Sequence, residues 1–285
     1  MNQGARTLGD LHGARMSGAP WLLDLVQPEI GGGRLDASAL SALDARPDAT
    51  ALRISGLDQA TFEALVSGHG ARFSALYFWK CPRIQDLGPL EGLPDLRLVS
   101  FFWNQRATRL WDFARTPRLT GLRLYDFTRL HDLGDLARGS SLVELEIGDA
   151  VWDSLVVTSL QPLAALSGLT SLSLSAKRID DGRVEPLGEL QRLESLSFPA
   201  RQFTMRQVAW LRARLPESLV SDALAPLRRF AEPRTYNGKQ RDVLLVGKRK
   251  PFLNSVTDAE RIHRHVAEFD GLVAQFRADP SALPD

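Results

Sequence analysis

The chain of 285 residues is long enough for one extended domain or two compact ones. With 44% hydrophobic and 24% charged residues it has the composition of a soluble folded protein. A formal net charge of +1 supplies no global field to draw in nucleic acid or an anionic membrane. The single cysteine, Cys81, excludes an internal disulfide and a cysteine-built metal cluster, and no apolar run reaches the roughly 18 residues of a membrane span.

The N-terminal stretch to Pro20 carries Arg6, Asp10, His12 and Arg15 and no apolar core, so it does not read as a secretory leader, and the expected location is the cytoplasm. Trp21–Val26 is predicted as a strand and Ser38–Leu43 as a short helix. Residues 1–44 are read together as an N-terminal cap. Gly31–Gly33 lacks the Lys and Ser/Thr of a phosphate-binding loop and reads as a turn.

From residue 45 the sequence repeats itself. The frame L-x-x-L-x-L fits Ala49/Leu52/Ile54, Phe73/Leu76/Phe78, Leu96/Val99/Phe101 and Leu119/Leu122/Leu124, then Leu142/Leu145/Ile147, Leu169/Leu172/Leu174 and Leu193/Leu196/Phe198. All 21 of these positions are apolar, and the anchors step by 24, 23, 23, 23, 27 and 24 residues. A degraded eighth copy is expected at Leu215/Ser218/Val220. Side chains alternate across a short strand, so the second and third apolar positions of each copy point the same way, inward. Leucines spaced by three, such as Leu87, Leu90, Leu93 and Leu96, predict a return path of 3₁₀ or short α-helical turns.

This pattern over residues 45–222 resembles the leucine-rich-repeat family. The resemblance implies an α/β architecture: a right-handed solenoid with a concave parallel sheet, seven to eight repeats long. It also implies a role in binding proteins rather than in catalysis. The family's Asn or Cys eight residues after the first anchor is matched by Cys81 and Asn104; Leu57, Phe127, Ala150, Lys177 and Arg201 depart from it, so the turns after the strands are expected to differ from copy to copy.

Residues 223–285 read as a small strand-and-helix unit that caps the last repeat. Asn237-Gly238 marks a hairpin turn, Asp242–Gly247 a strand, and Thr257-x-x-Glu260 a capping box opening a helix that runs to about Ala278. Ile262, Val266, Phe269, Val273 and Phe276 form one apolar stripe on that helix.

In the repeat frame the residues alternating with the anchors face the concave surface. They bring together Tyr77, Trp79, Phe102 and Tyr125, joined by Trp103, as an aromatic cluster with Leu98 and Arg123 on the same face, then Glu144 and Glu146, with Asp126 nearby, as an acidic strip, then a floor of serines. Exposed aromatics and arginine are what interface centres enrich, so these ten residues are the candidate partner-binding site. The competing reading is that the N-terminal cap or a convex loop covers the rings. An open concave sheet is expected to leave Glu144 and Glu146 without a water-excluded pocket. Trp152 is read as core, Trp111 and Trp210 as packed between repeats, Cys81 as a buried turn thiol, and His263 and His265 as a solvated helix face. No catalytic constellation, metal cluster or cofactor motif is found, and the expected state is a monomer. Nucleic acid is not the expected partner; its one foothold is 228–250, where eight basic residues face two acidic ones. An effector enzyme with its site in the C-terminal unit is the remaining alternative.

Overall fold

The computed structural model describes residues 4–284. Eight strands make one parallel sheet: β1 (Leu22–Leu25), β2 (Ala51–Ile54), β3 (Ala75–Trp79), β4 (Leu98–Asn104), β5 (Gly121–Phe127), β6 (Glu144–Gly148), β8 (Ser171–Ser175) and β10 (Ser195–Ser197), in that spatial order. The anchors lie in register across it. Leu23, Leu52, Leu76, Val99, Leu122, Leu145, Leu172 and Leu196 form one continuous ladder of paired residues. Parallel neighbours in a solenoid bury the same position of each copy against the next, which is why the repeat tolerates only apolar residues there.

The return path is mostly 3₁₀, as the three-residue leucine spacing requires: Gly88–Gly92, Phe113–Arg115, Gly134–Arg138 and Gln161–Ala165. Two copies instead use an α-helix, α2 (Gln59–His69) and α4 (Met205–Arg214), each opened by a reciprocal capping box, Asp58 with Thr61 and Thr204 with Gln207; a four-residue helix, α3 (Glu185–Gly188), lies between. The long insertion before the sixth anchor forms β7 (Val156–Val157), which pairs with β9 (Arg178–Ile179) outside the main sheet. Phe62, Phe78, Phe101 and Phe127 follow one another through the core at centroid distances of 5.4, 4.5 and 5.7 Å, the middle pair stacked and the outer two edge-to-face.

Three expectations change. The eighth strand lies at the N-terminal end of the sheet: Leu22–Leu25, within the segment read as a cap, pairs with β2, in the frame Pro20/Leu23/Leu25. The copy expected at Leu215/Ser218/Val220 makes no strand: Val220 is 91% exposed, and the chain goes on into a 3₁₀ turn, Asp222–Leu224. The helix α5 (Ala259–Ala278) begins after Asp258, and Thr257 and Glu260 form no capping box; Thr257 N–H is taken by Asn254 Oδ1, which holds it in the preceding turn.

The C-terminal unit has β11 (Leu227–Tyr236), β12 (Lys239–Leu245) and β13 (Phe252–Leu253) in an antiparallel sheet, with the hairpin turn at Asn237 (φ 50°) and Gly238 (φ 71°). Two left-handed residues in succession match the right-handed twist of the strands they join. The stripe of α5 divides its work. Ile262 packs on β12 and β13, whereas Phe269 and Phe276 enter the solenoid core beside α4. Trp210 Nε1 donates to Ala282 O at 3.0 Å, so the segment after α5 packs back on the helix of the last repeat. No helix among the described residues is long and apolar enough to cross a membrane.

Candidate functional site

The concave face is not open along its whole length. A helix, α1 (Leu8–Ser17), lies across it, opened by a capping box of Thr7 and Asp10 and ended by Gly18 in the left-handed conformation. Leu8, Leu11 and Ala14 point down onto the sheet and are buried. Leu11 and Ala14, together with Ala5 and Leu22, pack on Ala51, Ala75, Tyr77 and Leu98, while Leu8 lies over Gly121. The strands record the cover. All four residues of β2 are buried, and the first four of β3, while β8 and β10 alternate buried with accessible, as a sheet wet on one face does. Small concave residues make room: a Cβ on Gly121 would stand 2.6 Å from Leu98 Cδ2 and 3.2 Å from Leu8 Cγ.

Polar contacts complete the seat. The Leu8 N–H donates to Glu144 Oε2 at 2.9 Å, so Glu144 binds one of the free amides at the N-terminus of α1. His12 Nε2 lies 2.9 Å from Ser100 Oγ and 3.1 Å from Arg123 Nη1. Arginine only donates, so Nε2 accepts and His12 carries its proton on Nδ1. Arg123 in turn donates to Glu146 Oε2 from Nε at 2.7 Å, and Tyr125 donates its hydroxyl to the same oxygen at 3.2 Å.

The cover corrects the reading of this face. Tyr77 and Leu98 lie beneath α1, and burial pushes the Tyr77 phenol up to about 12. Arg123, Glu144 and Glu146 are half-buried and spend their hydrogen bonds within the chain. Glu144 does sit in a partly water-excluded place: burial raises its carboxyl above the usual value, against the Leu8 N–H that lowers it, with Glu146 and Asp10 adding to the rise. Asp126 belongs to another job. It is fully buried, and its Oδ1 accepts from the N–H groups of Ala150, Val151 and Trp152 at 3.0, 2.9 and 3.3 Å. It performs for the next turn what Asn104 does for its own, where the amide oxygen accepts from Arg106 and Ala107 and the amide nitrogen donates to Ile84 O. His265, read as solvated, is also buried, its Nε2 against Pro226 O at 2.9 Å. Cys81 is buried, its thiol pushed up to about 12 by desolvation.

What remains accessible is a ledge along the C-terminal ends of β3 to β5. Trp79 stacks on Phe102 with centroids 4.3 Å apart, and Trp103 leans on Trp152 at 5.7 Å. Lys80 Nζ lies over both Trp79 and Trp103, at 5.5 and 5.7 Å. Tyr125 is half-buried beside them. Trp152, expected in the core, is 48% exposed, with Val151 60% exposed next to it. Asp126 explains the difference: by holding the amides of 150–152 it turns that loop outward. Trp103 adopts φ 66°. The same place in neighbouring copies holds Gly56, Lys80 and Asp126, also with positive φ. For an indole this left-handed backbone is costly, and such strain gathers at functional positions.

The in-register ladder, the 3₁₀ returns and the repeat frame together define a leucine-rich-repeat solenoid with a C-terminal capping unit. Against known proteins, no family model and no curated protein matches the chain. Similar solved structures include internalin C2 of Listeria monocytogenes, 25% identical over 56% of this chain with a TM-score of 0.45. A second internalin of that organism is 20% identical over 64%, with a TM-score of 0.43. The leucine-rich-repeat domain of APL1B is 18% identical over 72% of this chain and 70% of its own length, with a TM-score of 0.36. The chain spans 66% and 56% of the two internalin chains.

Proposed function

We propose that this protein is a monomeric, cytoplasmic, non-enzymatic binding module that recognises a partner protein on the aromatic ledge beside α1. The observation that carries the reading is the ledge itself. Trp79, Phe102, Trp103, Tyr125 and Trp152 are brought together from three strands and a loop, partly open to water, with one of them on a strained backbone. Contiguous aromatic surface with a cation seated on it is the make-up of an interface centre. The serines of β8 and β10 continue the same face as a shallow polar floor, suited to the rim of a contact. In this reading α1 forms one wall of the site, and Tyr77, Leu98, Arg123, Glu144 and Glu146 hold that wall in place.

The test is affinity capture from the protein's own host, with mass spectrometry and with variants run beside the wild type. Trp103→Ala and Trp152→Ala are expected to lose the captured partner, each by about 2 kcal/mol or roughly thirtyfold in affinity if they are hot spots. The melting temperature of Trp152→Ala should not move, since its ring supports no core. A partner retained by both variants would remove the ledge from the interface.

A further inference from the structure

The basic residues of the C-terminal unit do not stay in one run; the fold gathers some of them, with one from the solenoid, around a cleft. Arg201 comes from the loop after β10, Arg241 from β12, Arg249 and Lys250 from the turn before β13, and Arg261 from the first turn of α5. They line a hollow of about 470 Å³ with Tyr236 and Phe252, and Asp258 is the one carboxylate in its wall. That carboxylate is occupied, accepting from Asn254 N–H at 2.9 Å. Among the described residues none of the five cations has a carboxylate within ion-pair distance. Five like charges held around a single carboxylate, with no ion pair among them, raise one another's energy, and an anion relieves it.

Two of the guanidiniums are fixed in place. Arg241 Nη1 donates to Phe252 O at 2.6 Å, and Arg201 to Lys250 O at 3.3 Å. Arg241 Nε is buried with no partner. Two further hollows share wall residues with the cleft. One shares Arg201 and adds Lys177, Arg178 and Lys248 against Asp153; the other shares Lys250 and Arg261 and adds Arg264 against Glu268. A small anion would need one pocket, whereas adjacent hollows that each carry excess positive charge suit a linear polyanion. Tyr236, 58% exposed at the tip of the hairpin, supplies a flat face at the edge of the track. A cationic groove with an open aromatic at its side is how unpaired nucleic-acid strands are held, phosphates on the cations and bases on the rings.

We propose that this cleft binds single-stranded nucleic acid, with phosphates at Arg201, Arg249, Lys250 and Arg261 and a base on Tyr236. The site is separate from the aromatic ledge, so the two can be tested independently. The net charge of +1 hides it, because the acids that balance these cations lie elsewhere on the chain.

The test is fluorescence anisotropy of the full chain with a fluorescein-labelled oligothymidylate of roughly 15 nucleotides, near the upper end of single-strand site sizes. Saturable binding is expected, with log K falling on log salt by about 0.7 per phosphate neutralised. Arg249→Glu combined with Arg261→Glu should weaken binding at least tenfold. The same charge change at two remote exposed sites, Arg115→Glu with Arg192→Glu, should leave more of the affinity. Tyr236→Ala should weaken the oligonucleotide by roughly tenfold and leave inorganic polyphosphate unaffected. Circular dichroism melting confirms that these surface variants fold. Absence of salt-dependent binding overturns the proposal, as does equal loss from the cleft and remote pairs. If Tyr236→Ala binds the oligonucleotide as tightly as the wild type, or a duplex binds better than the single strand, the assignment to unpaired nucleic acid is wrong.

Discussion

Asp126 shows how one side chain can replace a motif. The copy after β5 lacks the expected Asn at its turn, having Phe127 there, and the neighbouring carboxylate collects three amides of the following loop instead. Asp126→Ala leaves those three donors without an acceptor and puts a Cβ-bearing residue with no such bond at φ 58°. The expected cost is about 1–3 kcal/mol by thermal melting, with faster hydrogen exchange at 150–152. Asp126→Asn keeps one acceptor oxygen and a residue type that tolerates the left-handed region, so it should lie much nearer the wild type. Equal destabilisation by both would show that charge, not the acceptor, does the holding. Glu144 presents the opposite case. Burial first, then Glu146 and Asp10, push its carboxyl above the usual value, so the folded chain binds its proton more readily than the unfolded chain does. The sign is that its negative charge costs stability as pH rises past the ordinary carboxylate value of 4.5. Glu144→Gln retains an acceptor for the Leu8 N–H without the charge. It should melt no earlier than the wild type at neutral pH, and a clear drop would mean the charge at the helix N-terminus outweighs the burial.

At the scale of elements, α1 and α5 are both laid onto the solenoid, and each rests on particular contacts. Gly121 lets α1 settle: the space a Cβ would fill belongs to Leu98 and Leu8. Gly121→Val should therefore lift the N-terminal end of α1, seen as protease cleavage between Arg6 and Arg15, while the repeats beyond β6 keep their protection. At Gly13 a Cβ would meet nothing within 4 Å, so Gly13→Ala should strengthen α1 by up to about 1 kcal/mol. For α5 the sensitive group is His265. Burial lowers its pKa, the hydrogen bond to Pro226 O works against that, and Lys250 and Glu268 are the charges that face it. The unfolded chain then binds more protons than the folded one between the lowered value and 6.5. Its contribution is intact above 6.5 and declines as pH falls through that window. His265→Gln can still donate to Pro226 O, so its melting temperature should fall less than the wild type's over the same acidification. Parallel curves for the two proteins would clear His265 of any part in the pH response.

For the whole molecule, the stack needs both ends closed. Deleting residues 225–285 removes Phe269 and Phe276 from the core and the carbonyl that receives Trp210 Nε1. Bare repeat edges associate, so the truncated chain should melt earlier and scatter light as aggregates. A monomer of unchanged melting temperature would make the C-terminal unit an appendage rather than a closure.

The solenoid could be read from the sequence because its restraint is local and repeated. Each copy must present apolar residues at the same three positions, and the returns must step by three, so Leu52/Ile54 through Leu196/Phe198 announce themselves. The expected hairpin at Asn237-Gly238 and the end of α5 at Ala278 follow from equally local chemistry. Tertiary structure alone decided the fate of the concave face. The signal for α1 was a single capping box, Thr7 with Asp10, followed by a short apolar face of Leu8, Leu11 and Ala14 interrupted by Gly9 and Gly13. Nothing local says where such a helix docks; the small residues Ala51, Ala75 and Gly121, which would have hinted at a cover, lie tens of residues from it and from one another. The same holds for Trp152, turned outward by a carboxylate 26 residues earlier, and for the basic cleft, whose cations come from four separate segments. Periodicity fixes what each copy contributes to its neighbours, whereas the occupant of an open face depends on contacts between parts of the chain that share no pattern.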